Sequence, residues 1–269
     1  MKTQKHTLGS CLLASIIGLL AVLTLTHALA ASAQPKFKNS RQERGISGTV
    51  DLPPHLGYGL NVRDPANLDA LFSPLGFEWV KLYEQYDALP AERLPYKVLY
   101  RIQRNGPLFD DELAAWGDHV AAIAQAGRGL VEAYEIGNET NQSWQWGGQV
   151  PDPDEYVAAL KLAYARIKAV DPNVLVVSGG LGPVGRIQAT AAGEGWLGNN
   201  GASMDEWAYA REMFWRCASG CFDVFGYHPF GFAYPPETEP SSVSNNFTFR
   251  GAEDLRSIML EYDLDDKPM

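Results

Sequence analysis

The chain has 269 residues, with 32 acidic against 22 basic side chains and a formal net charge of -10 at pH 7. This acidic balance disfavours nucleic acids and anionic membranes as partners, because both require a basic surface, and neither is expected. A neutral ligand such as a glycan remains compatible with the charge.

The N-terminal segment has the pattern of a secretory signal peptide. An apolar run from about residue 11 to residue 30 follows two lysines and ends in small residues that suit cleavage. We expect residues 1–33 to be removed near Ala30 or Ala33, which makes the mature protein secreted. An uncleaved membrane anchor is the alternative. Residues 34–50 are polar and basic and predict a flexible leader, and residues 51–269 suffice for one domain.

From residue 57 onward, short apolar runs alternate with amphipathic ones, which predicts strand-helix units around a parallel sheet. The fourth predicted strand leads into the segment from Tyr134 to Asn141. The other predicted strands are residues 57–62, 77–83, 96–102, 174–177 and 222–226. We expect capping boxes to open two of the helices, at Asp152 with Glu155 and at Ser203 with Glu206. The fold class is therefore α/β, with about six of the eight units of a (β/α)8 TIM barrel.

The fourth strand ends in an amide-carboxylate pair, Asn138 and Glu139. Side chains alternate along a strand, so Glu135 and Glu139 share one side, and active sites of parallel barrels lie where strands end. A turn after the strand would use the same residue types, and this alternative stays open. Glu135, which lies deeper, is expected to be a structural carboxylate paired with Lys81 or Arg101.

The segment from Tyr134 to Asn141, followed by Trp144, resembles the Asn-Glu-Pro region of retaining TIM-barrel glycoside hydrolases, the superfamily that includes cellulases and β-xylosidases. The resemblance extends over residues 57–269. It implies that Glu139 is the general acid/base of a double-displacement reaction on a poly- or oligosaccharide. Gly137 stands where the family usually has Trp, and Thr140 where it has Pro.

Other residues are candidates for contact with the substrate. Asn138 could hydrogen-bond a sugar hydroxyl. Trp144 and Trp146, with Tyr227 and Phe230, could offer flat faces to sugar rings, although loop tryptophans also plug barrel ends.

The predicted strand ends supply four more candidates. The resemblance implies that His228 contacts the substrate or the nucleophile, with a packed structural histidine as the alternative. Lys81 and Arg101 are candidates to hydrogen-bond the nucleophile, and Asn61 is a further candidate at the rim. A retaining mechanism needs no metal or organic cofactor, and none is expected.

The second carboxylate of a retaining pair lies about 5–5.5 Å from the first. The resemblance implies a nucleophilic Glu at the end of a seventh strand, and this chain stops just before that position. The acidic residues near the C-terminus have the pattern of a solvated helix end: Glu261, Asp263, Asp265 and Asp266. We therefore interpret the chain as an N-terminal fragment, and expect it to be inactive by itself, because an unclosed barrel has two unpaired edges.

Two other functions stay open. The first is a non-catalytic carbohydrate-binding barrel that lacks the second acid. The second is a nucleotide-dependent oxidoreductase, because Gly180 to Gly185 fits G-x-G-x-x-G, although that motif requires a helix to begin within it. Cys217 and Cys221 could form a short disulfide or remain free thiols, and a metal site is the weaker interpretation.

Overall fold

The computed structural model describes residues 55–63, 68, 72, 74–104, 106–108, 110–185, 188–189, 196–197, 202–217, 220–243, 245 and 247–269. The chain divides into two compact units, residues 1–50 and residues 51–269. Every described residue belongs to the second unit. The expected signal peptide and leader lie outside the described residues, as does most of the helix expected after the first strand.

Five parallel strands form one sheet in the order in which they follow along the chain. They are β1 (Gly59–Asn61), β2 (Trp79–Tyr83), β3 (Lys97–Ile102), β4 (Ala133–Ile136) and β5 (Leu175–Ser178). The helices are α1 (Asp110–Ala126), α2 (Pro153–Val170), α3 (Glu206–Cys217) and α4 (Gly251–Glu261). Parallel strands that alternate with helices confirm the predicted α/β class.

The predicted sixth strand at residues 222–226 is wrong as a continuous element. In the described part of the chain this segment contacts β5 only through single bridges, Val177 to Val224 and Leu181 to Tyr227. The ladder is interrupted because the hydroxyl of Ser178 accepts the N–H of Gly226, at 2.9 Å. The segment still lies beside β5, so it continues the order of the sheet.

A short antiparallel pair that the sequence did not predict follows β5. It consists of β6 (Gln188–Ala189) and β7 (Trp196–Leu197).

The strands bury one face beneath the helices, because successive side chains point to opposite faces of a sheet. Val80, Val98 and Val176 lie on the helix side and are fully buried. The expected stripe of α2 packs against this face and begins at Tyr156, in the first turn of the helix. The hydroxyl of Tyr156 donates to the carbonyl of Ile136 and accepts from the N–H of Gly179, so α2 holds the ends of β4 and β5 together.

Helix caps follow the sequence in part. Asp152 caps α2 as predicted, because its side chain accepts from the N–H groups of residues 154 and 155. Glu155 does not complete the box, since its carboxylate binds Arg104 and the N–H of Leu108. The cap predicted at Ser203 is wrong: Asp205 caps α3 by accepting from the N–H groups of residues 207 and 208.

Candidate active site

The turn after β4 brings Glu139 to the carboxyl end of the sheet. Gly137 has φ 80° and Glu139 has φ 42°. The first value explains the glycine at position 137, because φ above zero is unfavourable for large side chains. The N–H of Glu139 donates to the carbonyl of Gly180, at 2.8 Å. Such left-handed backbone at a residue other than glycine is concentrated at functional sites.

The carboxylate of Glu139 lies between a histidine and a glycine-rich segment. Its Oε1 is 3.1 Å from Nδ1 of His228, and its side chain is 16% exposed. A Cβ placed on Gly182 would lie 3.1 Å from the same oxygen. A larger residue at position 182 would therefore press on the carboxylate, which accounts for the glycine there.

Glu135 lies deeper on the same side, as the alternation of the strand predicts. One of its carboxylate oxygens forms an ion pair with Lys81, and the other accepts from the N–H of Gly180, at 3.1 Å. The predicted pairing of Glu135 with Lys81 is confirmed. Nε2 of His228 lies 3.9 Å from Glu135, so the two ring nitrogens of one histidine face two glutamates.

A cavity of about 340 Å³ lies beneath this cluster, and we call it the inner cavity. Four of the residues proposed from the sequence line it: Asn61, Lys81, Tyr227 and His228. The hydroxyl of Tyr227 is buried and has no hydrogen-bond partner among the described residues. Burial raises the pKa of Tyr227, so its hydroxyl stays protonated, and the nearby acids that also raise this pKa are Glu206, Asp254 and Asp205.

A second space of about 640 Å³, which we call the outer cleft, opens beyond the ends of β3 and β4. Its lining residues are Gln85, Tyr86, Arg101, Gln103, Gly106, Asn138, Trp144, Gln145 and Gly147. Three of the residues proposed from the sequence are thus brought together here: Arg101, Asn138 and Trp144. Glu139 connects the two groups, because it follows Asn138 in the chain and contacts His228.

Arg101 holds Asn138 in place instead of pairing with Glu135. Its Nη1 donates to Oδ1 of Asn138 at 2.6 Å, and its Nη2 donates to Oε1 of Gln85 at 3.1 Å. The guanidinium carbon lies 4.3 Å from the centre of the Tyr83 ring. Of the two cations expected to pair with Glu135, only Lys81 does so.

The sequence interpretation missed several polar residues of the outer cleft. Gln85 follows the end of β2 and Gln103 the end of β3, so the rule that drew attention to Glu139 could have found them. Trp146, expected as a sugar platform, is wrong in that role, since it is 2% exposed and donates to the carbonyl of Thr140. Trp144 is 57% exposed and stays available to a ligand.

The glycine-rich segment after β5 supports this site instead of a nucleotide. A nucleotide-binding G-x-G-x-x-G motif requires a helix to begin within it. No helix begins between Gly182 and Gly185, so the nucleotide-dependent oxidoreductase is excluded. The side chain of Asn141 accepts from the N–H of Gly182 and donates to its carbonyl, which fixes the segment against the turn that carries Glu139.

Three further findings concern the described residues alone. Cys217 and Cys221 form a disulfide at the end of α3. No group of three or more His, Cys, Asp and Glu side chains there is arranged to hold a metal ion. None of the helices in the described ranges has the length and apolar character that a membrane crossing requires.

Comparison with known proteins finds likeness in structure and none in sequence. No family model matches the chain, and no curated protein matches it. A monomeric beta-xylosidase from Caulobacter crescentus CB15 is similar, with 15% identity and a TM-score of 0.50 over 78% of this chain and 50% of that protein. A glucosidase from Croceicoccus marinus has 15% identity and a TM-score of 0.49 over 80% and 50% of the two chains.

A family 39 glycoside hydrolase from Bacteroides cellulosilyticus WH2 has 18% identity and a TM-score of 0.46 over 70% and 40%. This chain therefore spans half or less of the length of these three proteins. The xylosidase match shows a shared fold, a partial match to the TIM-barrel glycosidases, and at such low identity it shows the fold alone.

Proposed function

We propose that the protein is a secreted glycoside hydrolase that cleaves O-glycosidic bonds of poly- or oligosaccharides with retention of configuration. The observation that carries this proposal is the position of Glu139. A partly buried carboxylate follows the end of a central parallel strand, is held by left-handed backbone, and lies between a cavity and an open cleft. Active sites of this fold lie at that end of the sheet.

Glu139 acts as the general acid/base in this proposal. It protonates the leaving glycosidic oxygen in the first step and removes a proton from water in the second. Asn138, oriented by its hydrogen bond from Arg101, is suited to bind a hydroxyl of the same sugar. His228 contacts the Glu139 carboxylate and holds its position beside the reacting bond.

The nucleophile is proposed to be a different glutamate from Glu135. Glu135 lies deeper on the strand, and Lys81 and the N–H of Gly180 hold its two oxygens, so the proposal keeps the structural role expected from the sequence. The family resemblance assigns the nucleophile to the end of a seventh parallel strand, an element that the described residues do not contain.

Two features support secretion. The N-terminal pattern of residues 1–33 is that of a signal peptide. The disulfide between Cys217 and Cys221 suits an oxidising compartment, because such bonds are rare where thiols are kept reduced.

The test is hydrolysis of glycans by the full-length gene product and by its Glu139→Gln variant. We expect the variant to lose roughly 10²- to 10⁴-fold in kcat on unactivated glycosides, the contribution of general acid/base catalysis. A small external nucleophile such as azide should restore turnover of aryl glycosides, because azide needs no general base.

Glu78→Gln is the matched control. It removes a carboxylate whose side chain is 57% exposed at the opposite end of β2, so activity should be unchanged. Equal activity of Glu139→Gln and the wild-type protein would refute the assignment. Glycan binding without any hydrolysis would favour the non-catalytic carbohydrate-binding barrel.

A further inference from the structure

The outer cleft has an unusual charge for this protein. Among its described lining residues, Arg101 is the one charged side chain, and no Asp or Glu lines it. The chain as a whole has a formal net charge of -10. A cleft whose one lining charge is positive, in an acidic protein, favours a negatively charged ligand.

Arg101 is buried without an acidic partner. It is 8% exposed, and its hydrogen-bond partners are the neutral amide oxygens of Asn138 and Gln85. No described carboxylate forms an ion pair with it, and its Nε, like that of Arg104, is buried without a hydrogen-bond partner. Glu135, its neighbour in register on β4, is bound to Lys81 instead.

The other buried arginine of this region shows the usual arrangement. Arg104 is 3% exposed and pairs with Glu155 at 2.6 Å. Burying a charge is costly unless it is paired. The two arginines belong to the same strand and the loop that follows it, so the contrast between them points to a missing anion at Arg101.

The rim of the cleft has the shape and chemistry to receive a sugar ring. Trp144 and Tyr86 expose more than half of their surface. A second guanidinium, that of Arg63, lies 4.0 Å from the centre of the Tyr86 ring. The side-chain amides of Gln103 and Gln145 offer donors and acceptors to hydroxyl groups.

We propose that the outer cleft is a subsite for an acidic sugar, a uronic acid unit whose carboxylate binds the guanidinium of Arg101 while its ring packs on Trp144. This inference rests on the proposed glycosidase function. Two of the five N–H groups of Arg101 are used in the hydrogen bonds to Asn138 and Gln85. The N–H of Nε is buried, which leaves the second N–H of each terminal nitrogen to donate to a ligand carboxylate, and such charge-assisted hydrogen bonds are the stronger kind.

The experiment measures binding, not hydrolysis, by calorimetry on the full-length gene product with Glu139→Gln. The probes are acidic oligosaccharides from glucuronoxylan, pectin and alginate, each compared with the same material after reduction of its carboxyl groups to alcohols. In at least one of these pairs we expect the acidic form to bind about tenfold more tightly or better, the value of a hydrogen bond to a charged group. Higher salt should narrow the difference.

Variants locate the preference in the cleft. Arg101→Gln should bring the affinities for the acidic and the reduced forms within about twofold of each other. Arg101→Lys should retain part of the preference for the acidic form, because the charge remains. Trp144→Ala should weaken both forms equally. Arg93→Gln, which removes a cation whose side chain is 64% exposed outside the cleft, is the matched control and should change nothing.

Three outcomes would contradict the proposal, and they are distinguishable. Reduced forms that bind as tightly as the acids in every pair would overturn the acidic subsite and leave the glycosidase function standing. If Arg93→Gln lost the preference for the acidic form as completely as Arg101→Gln, the preference would come from the net charge of the protein. That result would overturn the proposed subsite. Failure of every probe to bind would overturn carbohydrate binding itself.

Discussion

The inner cavity and the outer cleft differ in whether a buried charge has a partner of opposite charge. In the inner cavity, Lys81 and Glu135 neutralise each other, and the N–H of Gly180 occupies the remaining oxygen of Glu135. In the outer cleft, Arg101 contacts neutral amides and keeps hydrogen-bond donors unused. A compensated pair holds geometry, whereas an uncompensated cation leaves free energy to be gained from a ligand. On one side of Glu139, Lys81 and Glu135 therefore hold the structure in place, whereas on the other side Arg101 is proposed to bind the ligand.

The largest effect on stability is expected from breaking the compensated side. Lys81→Met leaves Glu135 buried without its counterion and should lower the free energy of unfolding by about 3–5 kcal/mol. The double variant Lys81→Met/Glu135→Leu should recover most of that loss, because the unpaired charge is then gone. Urea denaturation of the full-length gene product measures both. If Lys81→Met were as stable as the double variant, Lys81 would not be compensating the buried charge of Glu135.

A smaller effect on the free energy of unfolding is expected from removing either of the two buried arginines, Arg101 and Arg104. Arg104→Met deprives Glu155 of its partner and should cost about 2–3 kcal/mol of unfolding free energy. Arg101→Met removes two hydrogen bonds to neutral amides but leaves no carboxylate unpaired, so it should cost less than Arg104→Met. The same denaturation experiment measures both variants. Equal costs would mean that Arg101 is compensated in the folded protein, which would remove the reason to expect an anionic ligand.

The smallest expected change concerns the position of the Glu139 carboxylate. A Cβ at Gly182 would press on Oε1 of Glu139, so Gly182→Ala should displace the carboxylate by a few tenths of an ångström. We expect kcat to fall about tenfold, since misplacement by about 1 Å can cost roughly 10²-fold, with little change in stability. Gly220→Ala, where a Cβ would meet no atom within 4 Å, is the matched control. Unchanged kcat in Gly182→Ala would show that this contact does not position Glu139.

Much of the fold could be predicted from local pattern. β2, β3 and β5 were expected within two residues of their observed ends, because short, mainly apolar runs between turns are typical of parallel strands. Residues 222–226 were predicted to be a continuous strand, but their pairing with β5 is interrupted. The hydroxyl of Ser178 accepts the N–H of Gly226, which a regular ladder would have used. The cap of α3 was placed two residues early because both Ser203 and Asp205 are good capping residues, and only packing decides between them.

The site could be predicted in its parts but not in its grouping. Glu139, Asn138 and His228 were found because each lies at the end of a predicted strand. That His228 faces both glutamates depends on how the 222–226 segment lies beside β5, and His228 is 89 residues from Glu139 in the chain. Local pattern contains no information on a contact between segments so far apart. The strand-end rule could have found Gln85 and Gln103, but their grouping in one outer cleft could not be predicted, since its residues come from β3 and from the segments that follow β2, β3 and β4.

The sequence by itself determined the α/β class, the strand that carries Glu139 and the pairing of Glu135 with one of two cations. These follow from short-range periodicity and from the free-energy cost of burying an unpaired charge. The tertiary structure decided which cation pairs with Glu135, that Trp146 is buried while Trp144 is open, and that no described carboxylate forms an ion pair with Arg101. Each of these depends on distances between segments far apart in the chain, which no local pattern contains.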